Sequence, residues 1–102
     1  MQIIVEPQAT TTAVALHGRF DAFEVEGFDT TVMSALINGE PQVRVNLSNV
    51  SFIDSSGLAA LVRVMKRARE QGGDLVLIAP SDAARVILEL TRLDAAFDIV
   101  DE

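Results

Sequence analysis

Residues 42–71 read QVRVNLSNVSFIDSSGLAALVRVMKRAREQ. Val43, Val45 and Leu47 alternate with polar neighbours, so residues 42–47 form a strand with one apolar face. Ser48 to Phe52 reads as a short link. Asp54-Ser55-Ser56-Gly57 then turns the chain into a helix over 57–71, the clearest helix in the sequence. Leu58, Leu61, Val62, Met65 and Ala68 make its buried stripe, and Arg63, Lys66, Arg67 and Glu70 face outward. A strand that hands over to a helix through small polar residues is one half of a βαβ unit, and the flanking sequence repeats the pattern.

Downstream, Gly72-Gly73 ends the helix, and residues 74–79 form a strand that is apolar on both sides and therefore central. Ser81 caps a helix over 82–91 with Val86, Ile87 and Leu90 inward, and a short strand over 97–100 closes the chain. Upstream, residues 2–6 and 12–17 read as two strands joined through Pro7 to Thr10 as a hairpin. Asp21 and Glu24 have the spacing of a capping box, with Phe20 and Val25 at the staple positions. Val25, Phe28, Val32 and Leu36 then mark the buried stripe of a first helix, weakened at Gly27 and stopped by Asn38-Gly39 and Pro41. The order β-β-α-β-α-β-α-β implies an α/β fold with an open mixed sheet of about five strands and about three helices. One domain over 1–102 is expected. In such sheets, sites lie beyond the carboxyl ends of the parallel strands, where residues 54–57 fall.

Composition narrows the chemistry. Eight Lys and Arg stand against fifteen Asp and Glu, a net charge of −7 that repels phosphate backbones, so direct nucleic-acid binding is not expected. Hydrophobic residues make up 49% of the chain, enough for a core. Absence of cysteine excludes a disulfide scaffold, a thiol nucleophile and a Cys-ligated zinc site, and a lone His17 excludes a multi-His metal centre. No cofactor is expected. The N-terminus lacks a basic, apolar leader and no apolar run is long enough to span a membrane, so the expected compartment is the cytoplasm. Asn46-Leu47-Ser48 matches a glycosylation sequon that has no meaning without secretion.

Asp54-Ser55-Ser56-Gly57 is the informative motif. A serine there can cap the helix, Gly57 removes a side chain that would crowd an incoming group, and free N–H groups with the helix dipole favour a phosphate. Physics alone leaves open a plain helix cap. A hydrolase triad of His17, Asp54 and Ser56 is discounted, because Asp54 and Ser56 are too close in sequence and no G-x-S-x-G elbow is present.

Phe52-Ile53-Asp54-Ser55-Ser56-Gly57-Leu58 closely resembles the signature of STAS domains, the class of sulfate transporters and anti-sigma factor antagonists. Four further segments resemble the family in the same order: Leu16 to Asp21, with its G-x-[LF]-D pattern; Val45 to Ser48; Gly73 to Leu77; and Leu88 to Asp94 with Phe97. The resemblance implies a STAS-type sheet and a non-enzymatic anti-sigma factor antagonist (anti-anti-sigma factor) in bacterial transcription regulation by partner switching. By position it makes Ser56 the phosphorylation site, with Ser55 its neighbour. It implies an anti-sigma factor serine kinase as partner, captured by the unphosphorylated form with release of the sigma factor, and a metal-dependent phosphatase of the PP2C type that resets the switch. Asp21, Asp54, Ser55, Ser56 and Gly57 are the implied partner-binding residues. Arg63 and Arg67 join them if the basic face of the second helix docks a partner; otherwise that face is simply solvated. The alternative is a STAS scaffold outside a sigma pathway, a subunit of a larger signalling assembly or of a lipid-transport complex. A receiver-like domain fits worse, since serines hold the strand-end site.

Three departures from the family pattern are visible. Asn46 replaces an acid and is expected to act on strand-end hydrogen bonding. Arg92 replaces a glycine, and costs ~1 kcal/mol if that position needs positive φ. Ending at Glu102 shortens the usual last helix, which would expose apolar surface on the third helix or the sheet and leaves a monomer or a weak dimer as the expectation.

Overall fold

A computed structural model describes residues 2–7, 11–38 and 41–101. In chain order the elements are β1 (Gln2–Pro7), β2 (Thr11–Phe20), α1 (Val25–Ile37), β3 (Gln42–Ile53), α2 (Ser55–Glu70), β4 (Asp74–Ile78), α3 (Asp82–Leu90), a 3-10 turn (Leu93–Ala95) and β5 (Asp98–Val100). The sheet order is β1-β2-β3-β4-β5, with β1 antiparallel to β2 and the other neighbours parallel. The α/β class, the mixed sheet of five strands and the element order all match the reading of the sequence. The link at Gln8 to Thr10, the helix stop at Gly39 and the tail charge at Glu102 lie outside the described residues.

From β2 onward the chain moves one strand sideways in the same direction each time. Right-handed crossovers then set all three helices on one face of the sheet. Burial follows: Val14 and Leu16, Val43, Val45 and Leu47, and Leu75 and Leu77 are buried under the helices, while Ala13, Ala15, Arg44, Asn46 and Val76 on the other face are half-buried. From the helix side, α1 contributes Phe28, Val32 and Leu36, and α2 contributes Leu58, Ala60, Leu61, Val64, Met65 and Ala68. Phe20 and Phe28 meet with ring centroids 4.9 Å apart and planes at 58°.

β3 corrects one expectation. Ser48 to Phe52 is strand and not a link. Ala15 and His17 pair with Asn46 and Asn49, and Gly18 and Arg19 pair with Val50 and Phe52, so β3 carries an extra residue twice against β2. The buried positions Leu47, Val50 and Ile53 are therefore three apart, which breaks the alternation that betrays a strand. At the first irregularity the Ser48 N–H and hydroxyl donate to the Asn46 Oδ1 at 2.9 and 2.6 Å. Asn46 thus does serve hydrogen bonding on β3, within the strand and not at its end. On β2, Gly18 takes φ 102°, open to glycine without strain.

α3 corrects another. Ala84 and Leu88 are its buried residues, Ile87 is half-buried, and Val86 and Leu90 are 55% and 76% exposed. Of the expected inward set Val86, Ile87 and Leu90, only Ile87 lies against the core; the residues that face the sheet are the i, i+4 pair Ala84 and Leu88. The cap of α3 is Ser81 as expected: the hydroxyl accepts from the Ala84 N–H at 3.2 Å and donates to the Val50 carbonyl at 2.7 Å.

Arg92 sits in the left-handed region at φ 61°, ψ 18°. A side chain there strains against the backbone, so Arg92→Gly is expected to raise stability by about 0.5–1 kcal/mol after glycine's added chain entropy is subtracted. Urea unfolding of the two proteins measures this directly; a less stable variant would show that the Arg92 side chain holds a contact worth more than the strain.

Candidate functional site

The site forms where β2 and β3 end together. Phe20 pairs with Ile53 in the sheet, so the turn after β2 and the first turn of α2 leave the sheet side by side. Asp54 joins them. It is the N-cap of α2, extended at φ −109°, ψ −176°, and its Oδ1 accepts from the Gly57 N–H at 2.9 Å. Its Oδ2 accepts from the Ala22 N–H at 3.3 Å, and its own N–H donates to the Phe20 carbonyl at 3.3 Å. One carboxylate therefore ties both turns.

The cap is Asp54 and not a serine, because α2 begins at Ser55, two residues earlier than expected. Both serines consequently lie in the first turn. The Gly57 N–H goes to the Asp54 side chain and the Leu58 N–H to the Asp54 carbonyl at 3.0 Å, which leaves the N–H groups of Ser55 and Ser56 as the open donors of the helix. Among the described residues no hydrogen bond occupies either hydroxyl; Ser55 is exposed and Ser56 half-buried. Open N–H donors, a positive helix end and a free hydroxyl make this turn a suitable seat for a phosphoryl group.

Gly57 has a different role from the one expected. A Cβ there would lie 2.6 Å from the Phe20 carbonyl oxygen. The missing side chain lets the helix approach the end of β2; it does not clear space for a ligand.

Asp21 does not cap α1. Its Oδ1 accepts from the Phe23 N–H at 3.1 Å and its carbonyl from the Glu24 N–H at 3.0 Å, closing an Asx turn ahead of the helix. The N-cap of α1 is Glu24, which makes no side-chain cap, so the capping box is not formed. Arg19 stands beside this turn, with its Nε 3.6 Å from Asp21 Oδ2 and its guanidinium 4.1 Å from the Phe52 ring centroid.

Asp21, Asp54, Ser55, Ser56 and Gly57 are thus gathered in one place. Arg63 and Arg67 are not: they lie on the outer face of α2, about two and three turns further along. Arg63 reaches Asp29 on α1 at 2.8 Å, and Arg67 lies 3.7 Å from Glu70. With Met33, Ile37 and Lys66 they border a groove between α1 and α2. His17 is half-buried on β2, paired with Gln2 and Asn49. Sequence reasoning missed the turn at Asp21 to Glu24 and the exposed Phe23 within it; the Asp-x-Phe spacing suited to an Asx turn was the available sign.

Asp54→Ala removes acceptors for two N–H groups and is expected to destabilise the fold by about 1–2 kcal/mol, whereas Asp54→Asn, which keeps a capping oxygen, is expected to lose only a few tenths. Urea midpoints of the two variants check this; equal losses would mean that the charge matters and not the cap.

The chain and its fold are similar to known proteins. Residues 2–102 match the family model of the STAS domain. The anti-sigma-B factor antagonist of Staphylococcus aureus (strain NCTC 8325 / PS 47) is 29% identical over 80 residues, 78% of this chain and 74% of that protein. Among solved structures, an anti-sigma-factor antagonist (STAS) domain protein from Planctomyces limnophilus superposes with TM-score 0.83 at 27% identity, covering 98% of this chain and 90% of that one. The Bacillus cell fate determinant SpoIIAA in its phosphorylated form gives 0.79 at 23%, covering 99% and 93%. Among the described residues no helix is long and apolar enough to cross a membrane, and no group of three potential metal ligands occurs.

Proposed function

This chain belongs to the STAS domain family, and from that premise we propose that it is an anti-sigma factor antagonist switched by phosphorylation at Ser56. The unphosphorylated surface around the first turn of α2 captures an anti-sigma factor and frees the sigma factor that it holds. That partner is also a serine kinase, which transfers a phosphoryl group from ATP to the Ser56 hydroxyl; a PP2C-type phosphatase removes it. The chain supplies the docking surface and the acceptor, and no catalysis.

The observation that carries this reading is the pair of serines in the first turn of α2, with unoccupied hydroxyls and open N–H donors, held by Asp54. Phosphorylation adds roughly −1.5 to −2 charges and three acceptor oxygens. The helix end and its open donors compensate that charge inside the domain. A partner pressed on the same spot would have to bury it beside the carboxylates of Asp54 and Asp21, at a cost of several kcal/mol if it stays unpaired. Docking is lost while the fold is kept.

Titration calorimetry of the unphosphorylated protein against the anti-sigma factors of its organism tests the reading. Binding to one of them, with displacement of its sigma factor, is the expected result. Binding to none would overturn the antagonist assignment.

A further inference from the structure

Phe23 is 92% exposed, the most exposed of the large apolar side chains among the described residues. Single exposed apolar residues are common and by themselves mean little. Phe23 differs in how it is held. Its N–H donates to Asp21, the preceding Ala22 N–H donates to Asp54, and the following Glu24 N–H donates to the Asp21 carbonyl. Three successive N–H groups are thus fixed, and the middle residue projects its ring into solvent. Asp54 ties this turn to the helix turn that carries Ser55 and Ser56. The ring is therefore presented on a backbone ordered before any partner arrives, which lowers the entropy lost on docking.

Aromatic side chains in pre-ordered positions are the usual energetic centres of protein interfaces. The carboxylates of Asp21 and Asp54 hold this turn, and Glu26 follows in the first turn of α1, with Arg19 beside Asp21. We propose that Phe23 is the anchor by which the anti-sigma factor is recognised, inserting into an apolar pocket of that partner whose rim carries Lys or Arg side chains. The inference rests on the antagonist reading and adds to it: Ser56 governs whether the surface docks, and Phe23 governs which partner it fits.

The test is titration of the partner anti-sigma factor with four proteins: the parent, Ser56→Asp, Phe23→Ala, and Leu90→Ala as a control for loss of an exposed apolar side chain on α3. For Phe23→Ala the dissociation constant is expected to rise at least about tenfold with an unchanged urea midpoint, and for Leu90→Ala to stay at the parent value. If the parent binds and Ser56→Asp does not, but Phe23→Ala binds as the parent does, the anchor is refuted and the antagonist reading stands. An equal loss for Leu90→Ala also refutes it, since the effect would not belong to this turn. A parent that binds no anti-sigma factor overturns the antagonist reading and the anchor with it.

Discussion

Ser56→Asp is expected to weaken binding of the anti-sigma factor by about 100-fold, a loss of about 2.7 kcal/mol, while leaving the fold as stable as the parent. Both halves follow from where Ser56 lies. Its position in the first turn of α2 lets a carboxylate gain about 0.3–1 kcal/mol from the helix dipole and open donors. The carboxylate of Asp54, one turn edge away, opposes that gain, so the two contributions largely cancel in the free protein. No such cancellation is available under a docked partner, which would remove water from the new charge. Ser56→Ala separates charge from loss of the hydroxyl: it is expected to bind as the parent does and to be unresponsive to kinase. Calorimetry and urea unfolding on the same samples check the pair of claims. A Ser56→Asp protein that binds normally refutes the electrostatic switch, and one that binds poorly because it is unfolded refutes the account of the helix end.

Gly57→Ala is expected to lose about 2–3 kcal/mol of stability, by the cost of forcing atoms into a packed interior, which for a chain of this size lowers the thermal midpoint by about 10 °C or more. On helix propensity alone the change should gain up to ~1 kcal/mol. The contact decides otherwise. The added Cβ meets the Phe20 carbonyl oxygen at 2.6 Å, with Ile53 Cγ1 and Phe20 Cδ2 at 3.3 Å. The nearest atom is backbone in the sheet and cannot swing aside, so α2 must lift from the end of β2. That shift also disturbs the Asp54 N–H to Phe20 bond and the joint between the two turns. Reduced partner affinity should accompany the lower midpoint in thermal unfolding. A variant as stable as the parent would show that α2 does not need this approach.

Much of the fold was legible because local signals agreed with tertiary need. In α2 the apolar stripe, the outward charges and the terminal glycines all point to one helix, and the structure buries Leu58, Leu61, Met65 and Ala68 of that stripe, with Val62 half-buried and Val64 buried in its stead. β3 failed to announce its length because two extra residues change the spacing of its buried positions from two to three, a pattern set by pairing with β2 and not by β3 itself. α3 was misread for a related reason. The apolar residues Val86, Ile87, Leu88 and Leu90 go nearly all the way round the helix, so hydrophobicity alone does not choose a face, and packing on the sheet buries Ala84 and Leu88.

The site divides in the same way. The motif from Asp54 to Gly57 is legible as a strand-to-helix junction, and the structure brings it to Asp21. What no local pattern could supply was the division of labour. Asp54 caps the helix because its neighbours Ser55 and Ser56 already have helical backbone, and its second oxygen finds Ala22 across a gap of 32 residues. That long-range bond also explains why Asp21 serves a turn and not α1: the chain must first close against Asp54 before a helix can start. The exposure of Phe23 is decided by the path of this turn, at which the spacing from Asp21 hints and no helix or strand period does.

If Ser56 is the switch, a phosphate map will show it. The protein is incubated with its anti-sigma serine kinase and ATP, and the product is digested and sequenced by mass spectrometry. A single phosphoryl group on Ser56 and loss of kinase binding in the modified protein are expected; a phosphate on any residue outside Ser55 and Ser56, or a Ser56-phosphorylated protein that still binds, would overturn the switch.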